Sequence, residues 1–155
     1  MANQTPKLPL TSLEKAQLRQ HKIKLSDIHM IDVVELADIM QSSKKRARLI
    51  KGLATFQKIP SIGYRLADTL TDNLGIYSIE ELKNQDGAQL LNELEENLGY
   101  WVDPCVEDQL RCVIHHAHYP NSRKQWFDFT GERKRYRERY GYPESRPEKG
   151  WVEKS

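Results

Sequence analysis

Residues 56–70 read FQKIPSIGYRLADTL, from Phe56 to Leu70. Ile59 precedes Pro60, Ser61-Ile62-Gly63 follow, and then Leu66, Ala67 and Leu70 recur at helical spacing. Pro60 stops the helix before it, because its ring lacks an N–H and clashes with the preceding turn. The stretch is therefore a helix, a tight turn and a second helix. Ile59 and Ile62 are assigned inward, as pins that fasten the turn to both helices. Ala67 is small where the preceding helix crosses close by. Gly63 is read as the position where a Cβ would hinder the backbone, through its conformation or a close approach. The helix opening near Gly63 leaves N–H groups unpaired and so makes an anion site. Lys58 and Arg65 flank it within reach of a phosphate oxygen. Nothing in the stretch reads base edges, so any nucleic-acid contact here is independent of sequence.

Working outward, the same periodicity predicts helices on both sides. Thr11 or Ser12 caps a short helix to about Gln20, and Ser26-Asp27 begins a turn. Asp32 caps VVELADIM. Ser42 or Ser43 caps a helix running to about Lys58. Helical spacing resumes over Tyr64–Asn73, and Gly75 is placed to end that helix. Ser78 caps IEEL, Asp86 caps GAQLLNELEENL, and Gly99 stops the latter. Asp103-Pro104 opens a helix to about His118, with the acid as cap and Pro at the first helical position. A shorter helix is expected around 131–140, before a loosely ordered GYPESRPEKG. No stretch alternates with period two. The expected fold is all-α, a compact bundle of short helices around the hairpin. A faint repeat relates Ile23, Ile28, Asp32, Glu35 and Leu36 to Ile76, Leu82, Asp86, Gln89 and Leu90. The expected organisation is a flexible lead-in over 1–10, a helical domain over 11–120 and an aromatic, basic tail over 121–155 that packs partly on the domain.

The chain has 155 residues, 38% hydrophobic and 30% charged. One domain of this size buries enough surface to need no disulfide scaffold or structural metal. No apolar run reaches membrane-spanning length. The start, MANQTPKLPLTSLEK, holds no apolar core of a secretory signal. Two cysteines suit a reducing compartment, and a cytoplasmic location is expected. The net charge of +2 conceals an asymmetry. Residues 1–50 carry 9 basic and 5 acidic side chains, residues 51–100 carry 4 and 8, and residues 101–155 carry 11 and 9. The bases concentrate in KKRARLIK (Lys44 to Lys51) and RKRYRER (Arg133 to Arg139). Such runs fit either a polyanion partner or a solvated helix face.

The segment IPSIG, with Ala67 four residues after Gly63, resembles the helix-hairpin-helix motif, in which Ser61 here replaces the first glycine. The Gly-Ile connector of LGIYSIEEL (residues 74–82) is similar to those that trail such hairpins. DVVELADIMQSSKKRARLIKGLATF (residues 32–56) resembles a degenerate copy, with Gln41-Ser42-Ser43 in the turn and Lys44, Lys45 and Arg46 at the next helix start. Cations are disfavoured at that end of a helix, so these charges call for an external anion or solvent. Together with VDPCVEDQLRCVIHHA, the chain resembles the small bacterial pathogenicity-locus proteins over about residues 46–130. The Asp103-Pro104-Cys105 start and the Arg111-Cys112 pair carry that resemblance most specifically. It implies the helix-hairpin-helix fold and no assigned activity.

Cys105, near a helix start, is either a dipole-stabilised thiolate or, with Cys112, a small buried hydrophobe. Seven helical residues span about 10 Å, too far for a bridge between them. Cys112 and His116 lie at i, i+4, but His115, His116 and His118 complete no zinc-type spacing, and no metal or other cofactor is expected. Glu80-Glu81 and Glu95-Glu96 read as surface acids, and no catalytic constellation is found. In SRKQWFDFTGERKRYRERYGY (residues 122–142), Trp126 and Phe129 are assigned as anchors and Arg133, Arg135, Arg137 and Arg139 as a solvent-facing strip. The expected function is non-enzymatic binding of DNA backbone through Lys58, Ser61, Ile62, Gly63 and Arg65. The basic residues Lys44, Lys45, Arg46, Arg133, Arg135 and Arg137 are expected to assist. The alternative is a protein-contact or scaffold module that touches no nucleic acid.

Overall fold

The computed structural model describes residues 5–151. Its helices are α1 (Ser12–Gln20), α2 (Val33–Met40), α3 (Lys44–Phe56), α4 (Tyr64–Asp68), α5 (Ile79–Leu82), α6 (Gly87–Leu98), α7 (Cys105–His118) and α8 (Thr130–Tyr140). Short 3-10 turns occupy Leu25–Met30 and Trp126–Phe129, and α4 runs on through a π-type turn, Thr69–Asn73. The one β pairing among the described residues is an isolated parallel bridge between Trp101 and Gly150. The fold is all-helical, as the periodicity requires.

The helix starts follow the capping chemistry. Thr11 and Glu14 satisfy one another's backbone donors in a capping box, as do Ser78 and Glu81. Asp32, Ser43 and Asp86 each accept an amide of the turn they open. Asp103 does the same for Cys105, at 2.9 Å, with Pro104 between them. Gly99 closes α6 in the left-handed region.

Two apolar clusters meet at α3. Ala47, Ile50 and Ala54 pack with Leu18, Ile28, Leu36 and Met40. Leu53 and Phe56 pack with the α4–α7 side, including Leu70, Leu82, Leu91 and Leu110. The two Asp-capped helices of the faint repeat, α2 and α6, fall in separate clusters.

Both ends depart from the expected looseness. Lys7 and Gln57 exchange two hydrogen bonds of 2.9 Å, so the lead-in is fastened to the end of α3 at Lys7; residues 1–4 lie outside the described residues. GYPESRPEKG is strapped across α6 and α7. Trp101 donates its amide to Lys149 O at 2.9 Å, and Trp151 donates to Trp101 O at 2.7 Å. Arg146 grips Glu95, which is fully buried and also accepts the Val102 amide. Glu95 is thus no surface acid. Helix α8 has no buried residue. It is held instead by Arg133 on Asp108 and Arg137 on Glu107, both acids being buried in α7.

Truncating Arg146 leaves a buried carboxylate short of its countercharge. Arg146→Ala should therefore lower stability by about 3 kcal/mol in urea titration and expose the strap to limited proteolysis. An unchanged midpoint would mean that the pair contributes nothing.

Candidate nucleic-acid interface

The turn between α3 and α4 is built from short backbone bonds. The Ile59 amide donates to Phe56 O and the Ile62 amide to Ile59 O, each at 3.1 Å. Ile59, Ile62 and Ala67 are buried, as pins and a close crossing require. The strained position is Ser61, at φ +66°, where the helix-hairpin-helix motif that the turn resembles has its first glycine. Gly63 lies at φ −105°, ψ −168°, and a Cβ there would meet nothing within 4 Å. The expected steric demand on Gly63 is therefore wrong, because the left-handed residue comes two positions earlier. The Ser61 hydroxyl accepts the Trp126 amide at 2.9 Å and ties the C-terminal segment to the turn.

Beyond that bond the turn faces outward. The amides of Gly63, Tyr64 and Arg65 donate to no group among the described residues. Lys58 and Arg65 are exposed, and neither forms an ion pair among the described residues. Gly63, Lys58 and Arg65 are thus all exposed in and beside the turn. Ile62 does not join them, since its side chain is buried and its amide is used within the turn.

The basic runs divide. Lys44 and Lys45 are exposed at the start of α3, but Arg46 turns inward to Glu14, with Nε and Nη2 at 2.9 and 2.8 Å. Its anion is internal, which holds the Glu14 carboxyl below its usual range. In α8, Arg135 and Arg139 are exposed. Arg133 and Arg137 face inward, against the expectation of a solvent strip. Arg133 bonds both oxygens of Asp108, and Arg137 reaches Glu107, Ala88 O, Asn92 and Gly141 O. The signal was available in the acids Glu107 and Asp108, which sit on the α7 turn that also buries Leu110.

Arg111 completes the cluster, bonding Glu107 through Nε and Nη2 and Glu132 through Nη1. Its stem lies where a Cβ on Gly87 would stand, only 2.6 Å away. Cys112 is buried, and burial pushes its thiol up to about 12. Burial and the adjoining Asp103 raise Cys105 to about 11, so the dipole does not make a thiolate of it. Cys112 and His116 both approach Lys124 O, the His116 Nε2–H donating at 2.8 Å. His115 meets Ser122 and His118 meets Lys83 O, so these histidines fasten loops. Among the described residues no three His, Cys, Asp or Glu are grouped to hold a metal, and no helix is long and apolar enough to cross a membrane.

Residues 49–135 match the family described as Pathogenicity locus. The chain belongs to the pathogenicity-locus family. The match spans the hairpin turn, the connector and all of α7. No curated protein and no solved structure matches the chain. In this pathogenicity-locus protein, the Asp-Pro-Cys start is a helix cap, and the Arg-Cys pair binds α8 and the 122–124 loop to the core.

Two measurements check this geometry. Ser61→Val should cost about 1–2 kcal/mol, because the Trp126 amide loses its acceptor and a β-branched residue fits the left-handed region less well than serine, whereas Gly63→Ala should cost under about 1 kcal/mol. A larger loss at Gly63 would reverse the assignment. Iodoacetamide should label Cys105 slowly at pH 7, with a rate that climbs as pH approaches 11. Fast labelling of the folded protein at neutral pH would restore the thiolate.

Proposed function

We propose that this pathogenicity-locus protein binds the phosphate backbone of DNA, without sequence preference and without chemistry, through a helix-hairpin-helix element centred on residues 57–65. The observation that carries this reading is local. Three amides and two exposed cations of the segment 58–65 have no hydrogen-bonded or ion-pair partner among the described residues. Elsewhere, Arg46, Arg111, Arg133, Arg137 and Arg146 are committed to acids of the chain itself. Amides at a helix start suit a phosphate oxygen, and Lys58 and Arg65 add charge on either side. Ser61 contributes its backbone shape, its hydroxyl being used by Trp126. Of the six basic-run residues expected to assist, Lys44, Lys45 and Arg135 are left, since Arg46, Arg133 and Arg137 pair with internal acids. The contact suits a protein of the cytoplasm, where DNA is at hand in bacteria.

A second reading, a protein-contact module, draws on Leu13, Met30 and Val34, which are 62%, 67% and 56% exposed on the α1–α2 side. Such a surface suits an apolar partner.

Fluorescence anisotropy with a labelled duplex, titrated at rising KCl, separates the two. Binding should weaken steeply with salt. Arg65→Ala should leave the urea midpoint in place and reduce the salt slope by about one. If duplex, junction and single-stranded DNA all fail to bind at low salt, the protein-contact reading takes its place.

A further inference from the structure

From Ile39 through Ala67 the chain contains no acid and seven bases: Lys44, Lys45, Arg46, Arg48, Lys51, Lys58 and Arg65. Helix α3 sorts them by face. At 100° per residue, positions 44, 48, 51 and 55 fall on one stripe, and position 58 continues that line just beyond the helix. Ala47, Ile50, Leu53, Ala54 and Phe56 are buried on the other sides. Lys45 lies to one side of the stripe, and Arg46 points away from it, to the part-buried Glu14.

The stripe has a shaped surround. Arg48, Lys51 and Thr55 line a cleft of about 500 Å³, with His29 and Val33 on one wall and Tyr77 to Glu81 on the other. The Arg48 guanidinium lies 4.4 Å from the centre of the Tyr77 ring. Gly52 lets that wall approach, since a Cβ there would stand 3.0 Å from Tyr77 O. The acids of the wall are already engaged. Glu81 accepts the Tyr77 and Ser78 amides through one oxygen and Arg48 through the other, and Glu80 pairs with Lys83. The Arg48–Glu81 pair is half exposed and exchangeable, so Arg48 is free to serve an external anion.

We infer that the outward face of α3 is a phosphate track, on which Lys44, Arg48, Lys51 and Lys58 lie along the backbone of duplex DNA continuously with the hairpin. This rests on the DNA reading above and names further residues for the same partner. A rigid helix favours a duplex as occupant. From Lys44 to Thr55 the stripe rises about 16 Å at 1.5 Å per residue, the axial length of about five phosphates of one strand. A regular row of charges meets a regular row of phosphates without bending either.

The test pairs Lys44→Gln/Lys51→Gln with Arg65→Ala, leaving Lys58 untouched because both surfaces share it. Gln keeps the helix propensity of Lys, so the fold is retained. Anisotropy titrations with a random-sequence duplex should show the double variant losing about 1.8 from the salt slope, near 0.9 for each phosphate contact removed. Acetylation of the native protein should show Lys44 and Lys51 protected by bound duplex. An unchanged slope with unprotected lysines, while Arg65→Ala still weakens binding, overturns the track and leaves the hairpin. A reduced slope with Arg65→Ala silent keeps the track and removes the hairpin. No binding by the unaltered protein overturns both.

Discussion

Three buried carboxylates, Glu95, Glu107 and Asp108, set the terms for the second half of this chain. A charge taken out of water must be matched nearby or the fold loses several kcal/mol. Each acid here is matched by an arginine from farther along the chain: Arg146, Arg137 and Arg133. Helix α8 buries no residue, so apolar contact cannot be what fixes it. The acids on α7 determine where it lies. Tyr136 and Tyr142 then stack on Arg137, and Tyr142 also stacks on Arg146, which keeps water from the pairs.

This arrangement also decides which bases remain for a partner. An arginine bound to an internal acid is neutralised and held in place, so the two basic runs cannot be counted by charge alone. Arg46, Arg133 and Arg137 belong to the fold, while Lys44, Lys45, Arg135, Lys58 and Arg65 belong to the surface. The exposed bases on α3 and the hairpin occupy a stretch without acids, so nothing in their own segment cancels them.

The helix starts were legible because caps are local: Thr11 with Glu14, Asp32, Ser43, Ser78 with Glu81, and Asp86 each act within three residues. The Asp103-Pro104 start was legible for the same reason. Arg46 and Glu14 are 32 residues apart, and Arg146 and Glu95 are 51 apart. Helical spacing says which face a residue occupies but not which distant element covers it, so those pairs were out of reach. The Ser61–Gly63 error has a different origin. Glycine is the usual residue for a left-handed turn, so Gly63 drew the assignment. The conformation lies at Ser61, whose hydroxyl gains the Trp126 amide there.

The order of these partners along the chain gives them an order in time. A ribosome adding about 5–20 residues each second produces Glu95 some 3–10 s before Arg146. During that interval α6 carries an acid that its neighbours would bury without a countercharge. Asp108 waits in the same way for Arg133 of α8, whereas Glu107 has Arg111 four residues on. The cluster that α3 shares with α1 and α2 is complete in sequence by Ala54, while the other gains Leu110, Cys112, Val113, Ala117 and Phe129 during the interval. The front of the chain can thus compact before its back is locked, and Glu95 and Asp108 are the two buried acids whose arginines come last.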